Sequence, residues 1–248
     1  MIKISIINAS PKGNKSATYK MLEPLFEVVK IKNYELNYID LSTKKIKHCL
    51  GCFACWLKTP GRCVIKDDAD AVWETTKYSD YIVYACPLYF DNLTGIMKNF
   101  LDRGNPISLP KLERDENGEG IHLKRFNDGK DVKVIAISNA GFPELSHFEP
   151  LSLIYRRMAR NMKAELVGEI YRAQGPLLTS DAPELKMLLT PYYSTLKNAY
   201  LEIFEFGKIS SETQKKLEQP IIPIETYYSI ANARIEELEK QIENNLAK

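Results

Sequence analysis

Five short apolar runs, rich in β-branched residues, recur along the chain and are separated by segments of helical length. The runs cover residues 3–8, 34–40, 81–85, 132–138 and 165–171, and helices are predicted near residues 17–29, 69–78, 94–103 and 148–161. Regular alternation of this kind predicts an α/β fold with a parallel sheet, because right-handed crossovers place helices on both faces. Ligands of such sheets bind beyond the carboxyl ends of the strands.

The loops that follow the strands are therefore the first place to search for a site. Residues 9–16 follow the first run, residues 86–93 the third, and residues 139–147 the fourth, and all three loops are rich in small, polar or aromatic residues. No comparably unusual loop precedes a strand. The pattern predicts one ligand site at a single edge of the sheet.

The charge balance and the lack of a long apolar run exclude some classes of partner. The 34 basic and 32 acidic residues leave a net charge of +2, so we expect no nucleic-acid partner. No run approaches the roughly 18 apolar residues of a membrane span, and the first ten residues lack the features of a signal peptide. We therefore expect no membrane contact and a cytoplasmic location.

The same pattern of apolar runs, polar segments and predicted helices indicates the domain organisation. Residues 1–175 are predicted to form one domain, with a polar insertion at residues 104–130, and residues 176–248 a helical carboxyl-terminal extension packed on that domain or on a partner subunit. Within the extension, helices are predicted at Pro183–Phe206 and Ile224–Leu246. The second carries apolar residues at Ile235, Leu238 and Ile242 with charges between them, a stripe that suits either the domain's own core or a dimer contact.

The first loop has the composition of a phosphate site. Hydroxyl and amide side chains from Ser10, Asn14, Ser16 and Thr18, with Lys12 and Lys15, stand directly before a predicted helix. The unpaired N–H groups of a helix start stabilise a phosphate dianion. The alternative is an ordinary capped turn, since Ser and Thr are common helix caps.

Two other nucleotide loops fit less well. A dinucleotide loop requires Gly-x-Gly-x-x-Gly, and Gly13 alone is present, although Asp40 supplies the acid that ends the second strand of that fold. A triphosphate loop requires a glycine directly before its lysine, where Asn14 stands. The first possibility stays open as a weaker one and the second is rejected.

The chain resembles the flavodoxin-like NADPH-dependent FMN reductase and iron-sulfur flavoprotein superfamily across roughly its first 172 residues. The matching residues are Asn8-Ala-Ser-Pro-Lys12 with Ser16 and Thr18; Cys86-Pro-Leu-Tyr89 with Gly95, Lys98, Phe100, Asp102 and Arg103; and Asn139-Ala-Gly-Phe-Pro143. The resemblance implies a doubly wound five-stranded parallel sheet of order 2-1-3-4-5 that binds FMN. It also implies a homodimer or a higher homo-oligomer.

The resemblance assigns cofactor-binding residues by position. The residues assigned to bind the phosphate are Ser10, Lys12, Asn14, Ser16, Ala17 and Thr18. Those assigned to bind the isoalloxazine ring are Pro87, Leu88, Tyr89, Phe90, Asn92, Asn139, Ala140 and Gly141. The residue types also suit this role, because a flavin needs a flat apolar surface and hydrogen bonds at its polar edge. No catalytic side chain is predicted, since flavin N5 carries the chemistry, and His147 is interpreted as a surface residue.

Four of the five cysteines form a cluster after the second strand. Cys49, Cys52 and Cys55 are spaced as Cys-x-x-Cys-x-x-Cys, and Cys63 follows. Such spacing suits a 4Fe-4S cluster, and the resemblance includes iron-sulfur flavoproteins. Reduced or redox-active thiols without metal, and a tetrahedral zinc site, are the alternatives. Cys86 stands apart and is interpreted as a small buried residue.

The function expected from these features is an FMN-dependent oxidoreductase. It would take reducing equivalents from NADH or NADPH to a small acceptor such as a quinone, a flavin or a nitroaromatic compound. The alternative is an iron-sulfur flavoprotein that transfers electrons between protein partners. A flavin-binding sensor module is a third hypothesis.

Overall fold

The computed structural model of the chain describes residues 1–126 and 131–246. Its strands are β1 (Lys3–Asn8), β2 (Glu35–Asp40), β3 (Tyr81–Pro87), β4 (Ser108–Arg114), β5 (Gly120–Lys124), β6 (Lys133–Asn139) and β7 (Glu165–Arg172). Its helices are α1 (Ala17–Ile31), α2 (Ala54–Leu57), α3 (Ala69–Thr76), α4 (Gly95–Asp102), α5 (Glu149–Asn161), α6 (Pro183–Phe206), α7 (Ser211–Glu218) and α8 (Ile224–Leu246).

The main sheet contains the five strands that the apolar runs predict. Its order is β2-β1-β3-β6-β7 and every neighbouring pair is parallel. The predicted α/β fold and the strand order 2-1-3-4-5 are confirmed. In this register Asn8 lies beside Asp40 on one side and Ala85 on the other, and Pro87 lies beside Asn139. The loops after β1, β3 and β6 therefore leave the sheet side by side.

Alternating strand residues divide the core into two layers. Ile4 and Ile6 of β1 face a layer that contains α1 and α6, whereas Ile7 faces a layer that contains α3, α4 and α5. All three isoleucines are fully buried. Burial on both faces explains why these strands read as continuous apolar runs and not as alternating ones.

The predicted insertion at residues 104–130 is built around an antiparallel hairpin of β4 and β5. Its residues 127–130 lie outside the described part of the chain. β4 is mostly exposed, so its sequence lacks the apolar signal by which the other strands were found. Asp115 in the hairpin turn forms an ion pair with Arg160 of α5, with 2.7 Å between Oδ2 and the guanidinium, which anchors the turn.

The helical extension begins inside the core. Leu196, Tyr200 and Ile203 of α6 are fully buried in the same layer as α1, and the Tyr200 hydroxyl donates to the Met21 carbonyl. α7, which the sequence did not predict, packs beside α6 and β7. Within residues 1–126 and 131–246, none of the helices combines the length and apolar character needed to cross a bilayer.

Candidate functional site

The loop after β1, residues 9–16, is a tight turn that leads into α1. Gly13 adopts a left-handed conformation at φ +53°, and a Cβ there would lie 2.7 Å from Oδ2 of Asp40. Only glycine fits both constraints. Ser16 is the N-cap of α1: its hydroxyl donates to the Gly13 carbonyl at 2.6 Å and accepts from Tyr19 N–H at 3.1 Å.

The start of α1 presents free hydrogen-bond donors. The first N–H groups of a helix have no intrahelical acceptor. Ser16 satisfies that of Tyr19, and in the described part of the chain no acceptor faces the N–H of Ala17 or Thr18. The buried Ser10 hydroxyl lies nearby, while Lys12 and Asn14 are exposed at the rim. This arrangement is suited to an anion.

The loops after β3 and β6 are joined to each other. Leu88 N–H donates to the Asn139 carbonyl at 2.8 Å. Tyr89 and Asn92 exchange two backbone hydrogen bonds around a two-residue turn, in which Phe90 and Asp91 both have positive φ near 50°. The turn leaves Phe90 fully exposed at the edge of the sheet and Leu88 buried behind it.

The buried side chain of Asn139 connects the ring loops to the phosphate loop. Its Nδ2 donates to Oγ1 of Thr18 at 2.8 Å. On its other side lies Gly175, where a Cβ would approach Asn139 Oδ1 to 2.8 Å. The backbone after Asn139 is held as well, because Ala140 N–H donates to the Arg172 carbonyl and Gly175 N–H donates to the Ala140 carbonyl. The parts predicted to hold phosphate and ring are thus one bonded unit.

The structure brings all the predicted cofactor-binding residues to this edge, where their role stays a prediction. Those that are buried are Ser10, Ser16, Thr18, Pro87, Leu88, Asn139 and Ala140; those at the surface are Lys12, Asn14, Tyr89, Phe90, Asn92 and Gly141, with Ala17 between. The hydroxyls of Ser16 and Thr18 already have protein partners. These two hydroxyls are therefore less available to a ligand than the sequence suggested, whereas the N–H groups of Ala17 and Thr18 remain free.

Sequence reasoning missed several residues at the edge. The His147 ring stacks on Phe142, with ring centroids 4.2 Å apart, and its Nδ1 lies 3.0 Å from a carboxylate oxygen of Asp91. Two tyrosines at the start of α8 also reach the loop after β6: the Tyr227 hydroxyl donates to the Gly141 carbonyl and the Tyr228 hydroxyl to Glu144. These contacts join residues far apart in sequence, so no local sequence pattern could predict them.

The cysteine loop, residues 44–68, follows β2 as predicted. Cys49 and Cys52 are exposed, Cys63 is half-buried and Cys55 is buried. Burial raises the pKa of the Cys55 thiol, and the nearby Cys63, Cys49 and Cys52 raise it further. Across residues 1–126 and 131–246, however, no three His, Cys, Asp or Glu side chains converge at metal-binding distances.

A buried ion pair holds the end of the cysteine loop. The Arg103 guanidinium contacts both carboxylate oxygens of Asp67, at 2.7 and 3.0 Å, and donates to the Lys47 and Ile65 carbonyls. The two side chains are only 1% and 3% exposed. On the same helix Lys98 and Asp102 pair with each other at 2.5 Å on the surface, whereas Arg103 faces inward.

Cys86 lies apart from the cysteine loop, as the sequence suggested. It is fully buried at the end of β3, and its sulfur is 3.5 Å from the Tyr155 hydroxyl. Burial raises the pKa of its thiol to about 11, so the thiolate that reactivity requires is scarce at neutral pH.

Comparison with known proteins agrees with this architecture. Residues 2–117 match the family of NADPH-dependent FMN reductases. The match covers just under half of the chain, and over these residues the sequence is similar to that family. The matched residues include the loops after β1 and β3 and the cysteine loop, whereas β6, β7 and the helices after them lie beyond the match.

Two curated relatives are iron-sulfur flavoproteins. One, from Archaeoglobus fulgidus, is 45% identical over 102 residues, which are 41% of this chain and 48% of that protein. The other, from Clostridioides difficile, is 32% identical over 150 residues, covering 56% of this chain and 63% of that protein. The chain therefore spans about half to two thirds of the length of these relatives.

The fold is shared with solved flavoenzyme structures. An FMN-dependent NADH-azoreductase from Bacillus anthracis, solved in complex with FMN, superposes with a TM-score of 0.56 at 17% identity. The alignment covers 82% of this chain and 99% of that one. At this identity the likeness establishes the flavodoxin-like fold.

Proposed function

We propose that the chain binds FMN non-covalently and passes reducing equivalents from NADH or NADPH to a small acceptor such as a quinone, a flavin or a nitroaromatic compound. One observation carries the proposal: the start of α1 has two free N–H groups, and it is joined to the loops that follow β6 and β3. The Asn139 side chain donates to the Thr18 hydroxyl, and the Asn139 carbonyl accepts from Leu88 N–H. A mononucleotide with a phosphate at one end and a flat ring at the other matches such a unit. The similarity of residues 2–117 to NADPH-dependent FMN reductases supports the same ligand.

The phosphate end is proposed to lie at residues 10–18. The N–H groups of Ala17 and Thr18 donate to the phosphate oxygens, and the helix start adds a partial positive charge. The Ser10 hydroxyl and the Asn14 amide donate from the sides, and Lys12 supplies a charge at the exposed rim. Donors of this kind are held in place before the ligand arrives, so little ordering entropy is lost on binding.

The ring is proposed to lie against the loops after β3 and β6. Pro87, Leu88, Tyr89 and Phe90 offer apolar surface, and Asn92, Asn139, Ala140 and Gly141 offer polar groups at the ring edge. The hydrogen bond from Leu88 N–H to the Asn139 carbonyl fixes the distance between the two loops. The contact between Asp91 and His147 joins the loops after β3 and β6 a second time, on the solvent side.

The work of these residues is to bind, to orient and to exclude water. Bound FMN supplies the hydride chemistry of such a reaction. The structure accordingly needs no acid-base pair. Two of the polar side chains at this edge hold other protein groups: Asn139 holds Thr18, and Ser16 caps α1.

The direct test is an absorption spectrum of freshly purified protein, followed by titration of the colourless fraction with FMN. We expect flavin bands near those of free FMN, and oxidation of NADH or NADPH above the buffer rate when a quinone is added. Protein that is colourless and does not take up FMN would contradict the proposal. Flavin binding without nicotinamide oxidation would favour a sensor module.

A second candidate function, electron transfer through FMN and a 4Fe-4S cluster, is favoured by the grouping of the four thiols. Cys55 lies close enough to Cys49, Cys52 and Cys63 for each to raise its pKa. The Arg103 guanidinium interacts with Cys63. Its positive charge would offset the negative charge of a cluster bound by four thiolates. The exposed segment with Cys49 and Cys52 would have to close over the metal, since the thiols do not converge without it.

The two functions are separated by an iron and acid-labile sulfide assay on protein purified without oxygen. Iron and sulfide near four per chain, with absorption beyond the flavin bands, would support the cluster. Zinc in place of iron would support a tetrahedral thiolate site. The absence of both iron and zinc, with all five thiols titratable in denaturant, would leave the simple flavin oxidoreductase.

A further inference from the structure

Gln174 lies in the turn between β7 and the short helical turn Gly175–Thr179, and its side chain is fully buried. Its backbone is left-handed, with φ +57° and ψ 30°, a conformation that is costly for residues other than glycine. Glycine would adopt it without that cost. What glutamine adds at this position is therefore the set of contacts that its side chain makes.

The side-chain amide of Gln174 binds the connection between α7 and α8. Its Oε1 accepts from the N–H groups of Ile221 and Ile222, at 2.9 and 3.2 Å, and its Nε2 donates to the Ile222 carbonyl at 2.8 Å. Arg172 adds a fourth bond, from Nη2 to the Gln219 carbonyl at 2.8 Å. The connection is thus fixed to the end of β7 by two buried side chains.

The backbone at the same position holds the loop after β6. Gln174 N–H donates to the Phe142 carbonyl at 2.9 Å, and the next N–H along the chain donates to the Ala140 carbonyl at 2.7 Å. The Gly141 carbonyl between them accepts from the hydroxyl of Tyr227, which lies in α8 just after the connection that Gln174 binds. Three consecutive carbonyls of the loop are therefore bonded toward the protein.

This pattern turns the N–H groups of the loop outward. In a trans peptide the N–H points away from the carbonyl of the same unit. The inward carbonyls of Ala140 and Gly141 therefore direct the N–H groups of Gly141 and Phe142 away from the protein. Among the described residues no acceptor faces either N–H, and both residues are exposed. The loop presents two fixed donors at the edge of the sheet where the FMN ring is proposed to lie.

We propose that Gln174 is a positioning residue of the FMN site, which holds these two donors toward the polar edge of the ring. The inference rests on the proposed binding of FMN. Because Gln174 is fully buried, it acts through the loop and the α7–α8 connection and not by contact with the cofactor. It also lies beyond residues 2–117, so its role is not carried over from the similarity to the reductase family.

Gln174→Met in the whole chain tests the proposal at the level of binding. Methionine is similar in volume, but it leaves the N–H groups of Ile221 and Ile222 without their acceptor. The Kd for FMN and the Kd for riboflavin should both rise about tenfold, the effect of one or two neutral hydrogen bonds to the ring. Riboflavin lacks the phosphate, so an effect at the phosphate would raise the Kd for FMN alone. Flavin fluorescence titration measures both.

The reduction potential of bound FMN gives a second readout, which a purely structural role would leave unchanged. Reduction adds negative charge to the ring, and fixed donors stabilise that charge. The affinity for reduced FMN should therefore fall further than the affinity for oxidised FMN. A tenfold difference between the two losses corresponds to a midpoint potential about 30 mV lower in Gln174→Met.

Two further variants serve as controls. Gln174→Gly relieves the left-handed strain and keeps the N–H that bonds Phe142, so a rise in both Kd values comparable to that in Gln174→Met would assign the effect to the amide. Gln214→Met is the matched control, because the Gln214 amide donates to the Glu169 carbonyl of β7, at 3.4 Å, and not to the loop after β6. This variant should change both Kd values less than about twofold.

Circular dichroism and urea denaturation establish which variants fold, and if Gln174→Met does not, Gln174→Gly carries the test. An unchanged Kd for riboflavin in Gln174→Met, wild-type binding in Gln174→Gly, or an equal loss in Gln214→Met would each overturn this inference and leave the proposed function standing. Wild-type protein that binds neither flavin would overturn the proposed function and this inference with it.

Discussion

The loops after β1, β3 and β6 form the edge of the sheet that we propose binds FMN, here called the flavin edge. This edge and the cysteine loop are organised in opposite ways. At the flavin edge, three strand ends bring the loops together, and hydrogen bonds such as that from Asn139 to Thr18 join them before a ligand binds. In the cysteine loop, the Asp67–Arg103 ion pair holds the end of the loop. Cys49 and Cys52 are exposed, and among the described residues they do not converge with other side chains at metal-binding distances. The first region is preorganised by the sheet, whereas in the described residues the thiols of the second are not arranged around a common point.

The largest expected effect tests how the cysteine loop is held. Asp67→Asn leaves the Arg103 guanidinium buried without a charge partner, which should lower the free energy of unfolding by about 3 kcal/mol or more. Urea denaturation followed by tryptophan fluorescence measures this. Lys98→Met breaks an exposed pair of the same kind and should cost less than about 1 kcal/mol. Equal costs would mean that burial of the pair is unimportant.

The same pair gives a pH dependence. Burial raises the pKa of Asp67, but the hydrogen bonds from Arg103 and from the N–H groups of Lys47 and Ala69 outweigh it, so the pKa is lowered overall. The pair then contributes fully above the ordinary aspartate pKa of about 3.9 and is lost as the pH falls further. The difference in stability between wild type and Asp67→Asn should therefore be largest above about pH 4 and should narrow progressively as the pH falls through the lowered pKa of Asp67.

The next effect tests preorganisation at the flavin edge. Ser16→Asp places a carboxylate beside the proposed phosphate and should raise the Kd for FMN about 100-fold. Ser16→Asn is the matched control, because asparagine has the same shape and also caps helices but carries no charge. Flavin fluorescence titration measures both. If the two variants bind FMN equally, the phosphate does not lie at this helix start.

A smaller effect is expected from the contact between α8 and the loop after β6. Tyr227→Phe removes the hydroxyl that donates to the Gly141 carbonyl and should raise the Kd for FMN about fivefold, the effect of one neutral hydrogen bond. Tyr228→Phe, which loses an exposed contact with Glu144, should change the Kd less. The reverse ranking would indicate that Gly141 does not position the ring.

The smallest effect compares the two regions directly. Cys63→Ala should leave the Kd for FMN within about twofold of wild type, because among the described residues Cys63 bonds to Asp70 and no hydrogen bond joins it to the ring loops. The same variant should lose iron if a cluster is present. A large loss of FMN affinity would show that the two regions are coupled.

Much of the flavin edge was predictable because its signals are local. Buried parallel strands leave apolar runs, and β1 was predicted with its observed bounds. The polar loops that follow them could be assigned from strand order alone. The exposed hairpin of β4 and β5 was missed for the same reason, since a solvated strand such as β4 carries no apolar run. α7 is similarly polar, with Thr213 and Leu217 as its buried residues.

The amino-acid sequence by itself determined the strands, their crossover helices and the positions of the loops, because periodicity and turn chemistry act over a few neighbouring residues. Only the tertiary structure decided which side chains face each other across long separations: Asn139 with Thr18, Arg103 with Asp67, and Tyr227 with Gly141. It also decided that α6 lies in the core while the stripe on α8 stays uncovered. Both helices are amphipathic, and an apolar face does not specify what covers it.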